Sequence, residues 1–232
     1  MLNNTLQTFD VNILTLFPEV FPGTLGVSLL GKALEKKIWQ ISTINIRDFA
    51  FNKQKSVDDT PYGGGAGMVM RPDVISLALE SLSNINLPRI CLSAKGSKLT
   101  QSRAIQLSKE RGLILLCGRY EGIDQRVIDH NKFEEISIGD YVLPGGESAA
   151  IVLLESVVRL LPNVLGGENT LNEESFNNEM LLEYPHYTKP KEWKGMLVPE
   201  ILVSGDHKKI QNWRNEKRLE ITKKKRPDLL NR

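Results

Sequence analysis

Three short stretches of this chain combine glycine with polar residues in a way that suits the holding of a small molecule. They are Ser93-Ala94-Lys95-Gly96, Gly118-Arg119-Tyr120-Glu121-Gly122 and Ile138-Gly139-Asp140-Tyr141-Val142-Leu143-Pro144-Gly145-Gly146. Each follows a short apolar run, so each reads as a turn at the carboxyl end of a buried strand, where open α/β sheets bind their ligands. Glycines there let backbone N–H and C=O groups reach a ligand, and Ile138 and Leu143 supply an apolar wall. No phosphate signature accompanies the turns. The glycines at 63–67 do not fit G-x-G-x-x-G, because the last position falls on Met68, and no G-K-[ST] is present. An uncharged or zwitterionic ligand is the expected occupant. Metal and thiol chemistry have little to work with. His130, His186 and His207 are far apart, and Cys91 and Cys117 each sit inside an apolar run, as buried reduced thiols do.

The elements that must position these turns follow from periodicity. Residues 11–17 (VNILTLF) are apolar and β-rich, the first buried strand. In 28–38 the apolar residues fall at 29, 30, 33, 34 and 38, a helical stripe, and 41–47 alternate as a second strand. This β-α-β order favours a parallel sheet covered by helices. The long segment 48–71 reads as a loop whose glycines admit close approach of a large ligand or a partner subunit, or as a mobile surface loop. A helix is expected over 73–82 and a strand over 90–92. Thr100 caps the next helix, and Gly112 ends it at the C′ position. Two further strands follow within 113–138. An apolar helix over 148–161 is stopped by Pro162. Arg159 stands in it beside Val157, Val158, Leu160 and Leu161, company in which an arginine is rarely left unpaired.

The chain has 232 residues, 41% of them hydrophobic, and no apolar run long enough to span a bilayer. The start, MLNNTLQTFD, has neither a basic residue nor an apolar core, so no export signal is read there. Net charge is +2, unevenly spread: residues 207–232 carry ten Lys/Arg against three Asp/Glu, and the remainder is net acidic. Two readings fit a basic end, a polyanion contact or a solvated helix face. Asp206 caps that helix, with Ile210, Trp213 and Leu219 on its apolar side. Between the two parts, 162–174 look like a linker leading to a short helix begun by Asn172.

Taken in order, FPE, RDF, SVDDT, PYGGGAGM, LCGRYEGID, SIGDYVLPGGE, PHYTKP and SGDHKKIQNWR resemble the bacterial tRNA (guanine-37-N1)-methyltransferase family, TrmD, of the SPOUT superfamily. The resemblance spans about residues 11–230. It implies an α/β fold, a parallel sheet with helices on both faces and a deep trefoil knot, followed by a small, mainly helical C-terminal domain. The implied division is 1–162 for the methyltransferase domain, 163–176 for the linker and 177–232 for the tRNA-binding domain. The implied cofactor is S-adenosylmethionine, held in the knot by Ser93, Gly118, Tyr120, Glu121, Gly122, Ile138, Gly139, Asp140, Tyr141, Val142, Leu143, Gly145 and Gly146. The family's magnesium dependence adds Mg2+, with Glu121 as its carboxylate.

The implied reaction is methylation of N1 of guanosine 37, beside the anticodon. It needs a base for the N1 proton and a cation for the charge that develops toward O6. The family's arginine matches Arg159. Its aspartate position falls on Glu174, one methylene longer, with Glu173 beside it. A second departure is Ala94, where many members have proline. The family works as a cytoplasmic homodimer whose active sites are shared between subunits, with no membrane contact. Asp58 and the 63–67 glycines would lie near that interface, with Asp58 also at the RNA. Lys189, Lys208, Lys209, Arg214, Lys217 and Arg218 would meet phosphates of the anticodon branch, and Tyr187 would stack on a base.

Overall fold

The computed structural model describes residues 7–83, 86–166, 174–176 and 180–231. The chain divides into two compact units, Met1–Leu165 and Gly166–Arg232. In chain order the first unit contains β1 (Phe9–Thr15), α1 (Ser28–Glu35), β2 (Trp39–Asn45), β3 (Asp58–Asp59), β4 (Val69–Met70), α2 (Pro72–Glu80) and β5 (Arg89–Lys98). It continues with α3 (Gln101–Leu107), β6 (Gly112–Cys117), α4 (Gln125–His130), β7 (Glu134–Ser137) and α5 (Glu147–Val158).

Five strands form one parallel sheet in the order β2-β1-β6-β5-β7, and β3 and β4 form a separate antiparallel hairpin. Successive residues of the central strands feed opposite faces, and both faces are apolar, as a sheet buried on both sides requires. Val11, Ile13, Leu113, Leu115, Ile90 and Leu92 join one core with residues of α1, α3 and α5. Leu14, Ile114, Leu116 and Cys91 join the other with residues of α2 and α4. All six residues of β6 are buried. Its carboxyl end therefore lies in the middle of the sheet edge where a ligand can be surrounded.

Several boundaries differ from the sequence reading. Thr100 caps α3 as expected, its hydroxyl accepting from the Arg103 N–H at 3.2 Å. Gly112 does not end that helix. α3 stops at Leu107, and Gly112 opens β6, where an added Cβ would lie 2.0 Å from the Asp10 carbonyl oxygen. The strand expected over 90–92 runs on to Lys98, because its pairing with β7 shifts register between Leu92 and Ser97. Residues 93–96 are thus an irregularity within a strand rather than a turn ending one. The six-residue α4 between β6 and β7 was not legible as a helix.

The second unit contains β8 (Glu192–Trp193), β9 (Met196–Leu197) and α6 (His207–Lys225). Asp206 caps α6, accepting from the Lys209 N–H at 3.1 Å. The covered side of α6 runs through Ile210, Trp213, Arg214, Arg218, Ile221 and Thr222, at helical spacing. Leu219 falls off that stripe and is exposed, contrary to the expectation for it. The short helix expected from Asn172 lies outside the described residues. Among the described residues no helix is long and apolar enough to cross a membrane.

Candidate functional site

Residues 93–95, within the irregularity of β5, meet residues 118–122 after β6 and residues 138, 139 and 141–146 after β7, and together they line one cavity of about 310 Å³. That volume is at the lower end of the range for small-molecule sites. Of the residues expected to hold a cofactor, Ser93, Gly118, Tyr120, Glu121, Gly122, Ile138, Gly139, Tyr141, Val142, Leu143, Gly145 and Gly146 all line it. Asp140 does not. Its carboxylate turns away to meet the Lys98 ammonium at 2.6 Å at the end of β5.

The turns are tied to one another and to the sheet by backbone hydrogen bonds. The Gly146 N–H donates to the Gly118 carbonyl at 2.9 Å, joining the second and third turns. An added Cβ on Gly146 would sit 2.8 Å from Cys117 Cα, so the third turn presses against the end of β6 closer than any side chain permits. Within the third turn the Ser137 hydroxyl donates to the Gly139 carbonyl at 3.0 Å and accepts from the Gly139 N–H at 3.2 Å. The β3–β4 hairpin is fastened to the second turn. Glu121 N–H donates to the Met68 carbonyl, Met70 N–H to the Gly122 carbonyl, and Asp124 N–H to the Met70 carbonyl. Asp58, paired with Met70 across that hairpin, is thereby anchored to the cavity's rim.

Beneath the cavity lies a charged group that the sequence reading passed over. Glu147, the first residue of α5, is only 2% exposed. The Thr15 hydroxyl donates to its Oε1 at 2.8 Å, and the Arg119 Nη2 lies 2.9 Å from its Oε2. Both residues stand inside quoted motifs, GRYEG and LPGGE, but burial of a charge is a tertiary fact that spacing does not reveal. Cys91 lines the cavity, and burial pushes its thiol up to about 12; burial likewise pushes the Cys117 thiol well above its ordinary value. Neither is poised as a nucleophile. Among the described residues no group of three His, Cys, Asp or Glu is placed to hold a metal ion.

Arg159 caps the end of α5 and is partly buried. In the second unit Glu174 lies in a bend just before a turn, where the Ser175 hydroxyl accepts from the Glu183 N–H at 2.9 Å. Glu173 is outside the described residues. Lys189 and Lys208 are exposed; so is Lys209, beside Asp206 at 3.3 Å. Tyr187 is half-exposed, its ring tilted against Trp213 at 6.4 Å. Lys217 pairs with Glu220 one turn on. Two arginines expected at phosphates are drawn inward instead. Arg214 stacks on the Tyr184 ring at 4.6 Å, and Arg218 is 8% exposed, because both fall on the covered stripe of α6.

A parallel α/β sheet with helices on both faces and a ligand-sized cavity beside adjacent strand ends is the architecture of an α/β protein that binds a small molecule there. Comparison with known proteins narrows the class. Residues 9–232 match the family model described as tRNA (Guanine-1)-methyltransferase TrmD, and the chain belongs to that family. It is 53% identical over 226 residues to a tRNA (guanine-N(1)-)-methyltransferase of Mesorhizobium japonicum, covering 97% of each chain. Against the protein of the same name from Bartonella bacilliformis it is 54% identical over 223 residues, covering 96% of this chain and 95% of the relative. The protein is a methyltransferase.

Proposed function

We propose that the protein transfers a methyl group from S-adenosylmethionine to N1 of guanosine 37 in tRNA. The observation that carries this reading is the convergence on one cavity of the β5 irregularity at 93–95 and the two turns that follow β6 and β7. The residues present suit such a donor. Backbone groups at Gly118, Gly122, Gly139 and Gly146 can meet an adenine edge and ribose, and Leu92, Ile138 and Leu143 give an apolar wall. The phosphate-binding motifs that would mark a nucleotide are missing from the sequence. When bound, S-adenosylmethionine supplies an electrophilic sulfonium methyl and departs as the uncharged thioether. The relatives' printed name, tRNA (guanine-N(1)-)-methyltransferase, supports the acceptor.

The remaining chemistry falls to side chains of this chain. Guanine N1 bears a proton that must leave as the new N–C bond forms, and the Glu174 carboxylate takes it. Charge shifts toward O6 as it leaves, and the Arg159 guanidinium donates hydrogen bonds there. In this reading the first unit is threaded as a trefoil knot, Glu174 reaches the cavity of a second subunit in a homodimer, and Glu121 attends a magnesium ion. Lys189, Lys208, Lys209 and Lys217 grip phosphates of the anticodon branch, with Tyr187 against a base. The setting is the cytoplasm, where tRNA is processed.

The test uses methyl-labelled S-adenosylmethionine and two tRNA transcripts with guanosine at 36, one carrying guanosine at 37 and the other adenosine. Label on the first alone is expected. Equal label on both, or on neither, refutes the reading.

A further inference from the structure

A closed ring of four residues lies under the cavity. The Phe17 N–H donates to the Thr15 hydroxyl at 3.0 Å, and that hydroxyl donates to Glu147 Oε1 at 2.8 Å. Glu147 Oε2 faces Arg119 Nη2 at 2.9 Å, an ion pair by distance rather than an aligned hydrogen bond. The Arg119 guanidinium returns to the Phe17 ring, 4.3 Å from its centroid. The ring joins three segments distant in sequence: the end of β1, the second turn and the start of α5. It also reaches the third turn, because Arg119 Nη1 lies 3.4 Å from the Pro144 carbonyl.

The third turn is shaped around this arginine. A Cβ on Gly145 would lie 2.2 Å from Arg119 Nε and 2.5 Å from its Cζ, so the guanidinium fills the space that a side chain at 145 would need. Arg119, Pro144, Gly145 and Gly146 all line the cavity, whereas Glu147 and Thr15 lie behind it. A carboxylate 2% exposed is costly to bury unless it holds a cation in place.

We infer that Glu147 is a positioning residue for the methyl donor: through Arg119, and braced by Thr15, it locks the Pro144–Gly146 wall against the second turn. The inference rests on the methyl-donor reading of the cavity. Glu147 touches neither donor nor base in this account. It fixes where Arg119 stands, and Arg119 fixes the wall. The carboxylate serves twice: Oε1 accepts from the Thr15 hydroxyl, and the charge at Oε2 holds the Arg119 guanidinium. An isosteric amide keeps the shape and presents an N–H to either the hydroxyl or the guanidinium.

The test is calorimetric titration of S-adenosylmethionine into the full chain, with thermal melting of each variant alongside. Fitted stoichiometry reports the folded fraction, and the dissociation constant reports the site, so a merely structural role lowers the first and leaves the second. Glu147→Gln is expected to raise the dissociation constant about tenfold, the effect of losing a charged hydrogen-bonding partner in a buried site. Thr15→Val is expected to raise it several-fold, and Thr15→Ser, which keeps the hydroxyl, to restore it to within about twofold. The Thr15 pair decides the matter if Glu147→Gln fails to fold. Wild-type affinity in both Glu147→Gln and Thr15→Val, whatever their melting temperatures, overturns the inference while leaving the donor site standing. A wild-type protein that does not bind S-adenosylmethionine overturns the donor reading and this inference with it.

Discussion

Replacing Gly146 with alanine isolates the close approach that closes the cavity. Gly146 has φ −80° and ψ −11°, which alanine adopts freely, so any effect comes from crowding and not from backbone strain. The new Cβ would meet Cys117 Cα at 2.8 Å, Gly118 N at 3.1 Å and Cys117 C at 3.3 Å. All three are backbone atoms, at the end of β6 and the first residue of the second turn, where the backbone is held by the sheet and cannot readily give way. To reach ordinary contact at 3.4 Å the third turn must retreat by about 0.6 Å, stretching the 2.9 Å bond from Gly146 N–H to the Gly118 carbonyl. Overpacking of this kind costs about 1–3 kcal/mol and a weakened hydrogen bond about 1 kcal/mol. The sum, about 2–4 kcal/mol, lowers the melting temperature of a domain this size by about 5–15 °C. The same retreat pulls backbone donors away from the ligand, and affinity for S-adenosylmethionine is expected to fall at least about tenfold, or 1.4 kcal/mol. Differential scanning fluorimetry and calorimetry read the two effects. Gly166→Ala, where among the described residues nothing lies within 4 Å of the added methyl, serves as the unchanged control. A Gly146→Ala protein that melts within about 1 °C of wild type and binds the donor equally well refutes the reasoning.

Three further outcomes are expected. Glu174→Ala is expected to lower single-turnover methylation about 10²–10⁴-fold, the range for a lost general base, with donor affinity little changed; wild-type turnover there, with loss in Glu173→Ala, moves the base one residue upstream. Burial raises the Cys91 thiol to about 12, so it stays protonated at pH 8; Cys91 and the fully buried Cys117 should resist a thiol reagent until the protein is unfolded, and rapid labelling of the folded chain contradicts their placement. Lys208→Ala is expected to weaken tRNA binding alike for all sequences and to reduce the salt slope by about 0.7–0.9, one phosphate contact; an unchanged slope removes Lys208 from the RNA face.

Local signals in the sequence held where the interaction partner is also local and misled where a distant segment decides. Thr100 was legible as a cap because the hydroxyl and the N–H it serves are three residues apart. Gly112 misled for the opposite reason. A glycine after a helix suits a C′ position, and only the Asp10 backbone, a hundred residues away, shows that it opens a strand instead. Residues 93–96 look like a turn in isolation, and the shifted register with β7 makes them part of β5. The second and third turns of the candidate site were readable because glycine and apolar runs mark the ends of β6 and β7 directly. The ring of Phe17, Thr15, Glu147 and Arg119 was not, since it joins segments up to 132 residues apart. In α6 the basic character was plain, but which arginines face outward depends on a stripe set by packing. Arg218 and Thr222, one turn apart, face inward, with the Thr222 hydroxyl donating to the Arg218 carbonyl at 2.7 Å and accepting from the Leu182 N–H at 2.9 Å.

The central claim is that one cavity delivers a methyl group to a single ring nitrogen of one nucleotide. Its most direct test is mass spectrometry of a guanosine-37 tRNA after reaction, with nuclease mapping followed by nucleoside analysis. The account predicts N1-methylguanosine, at most one per tRNA, confined to the anticodon-loop fragment that contains position 37. Methylation at N2 or N7, or any methylated nucleoside in another fragment, contradicts it.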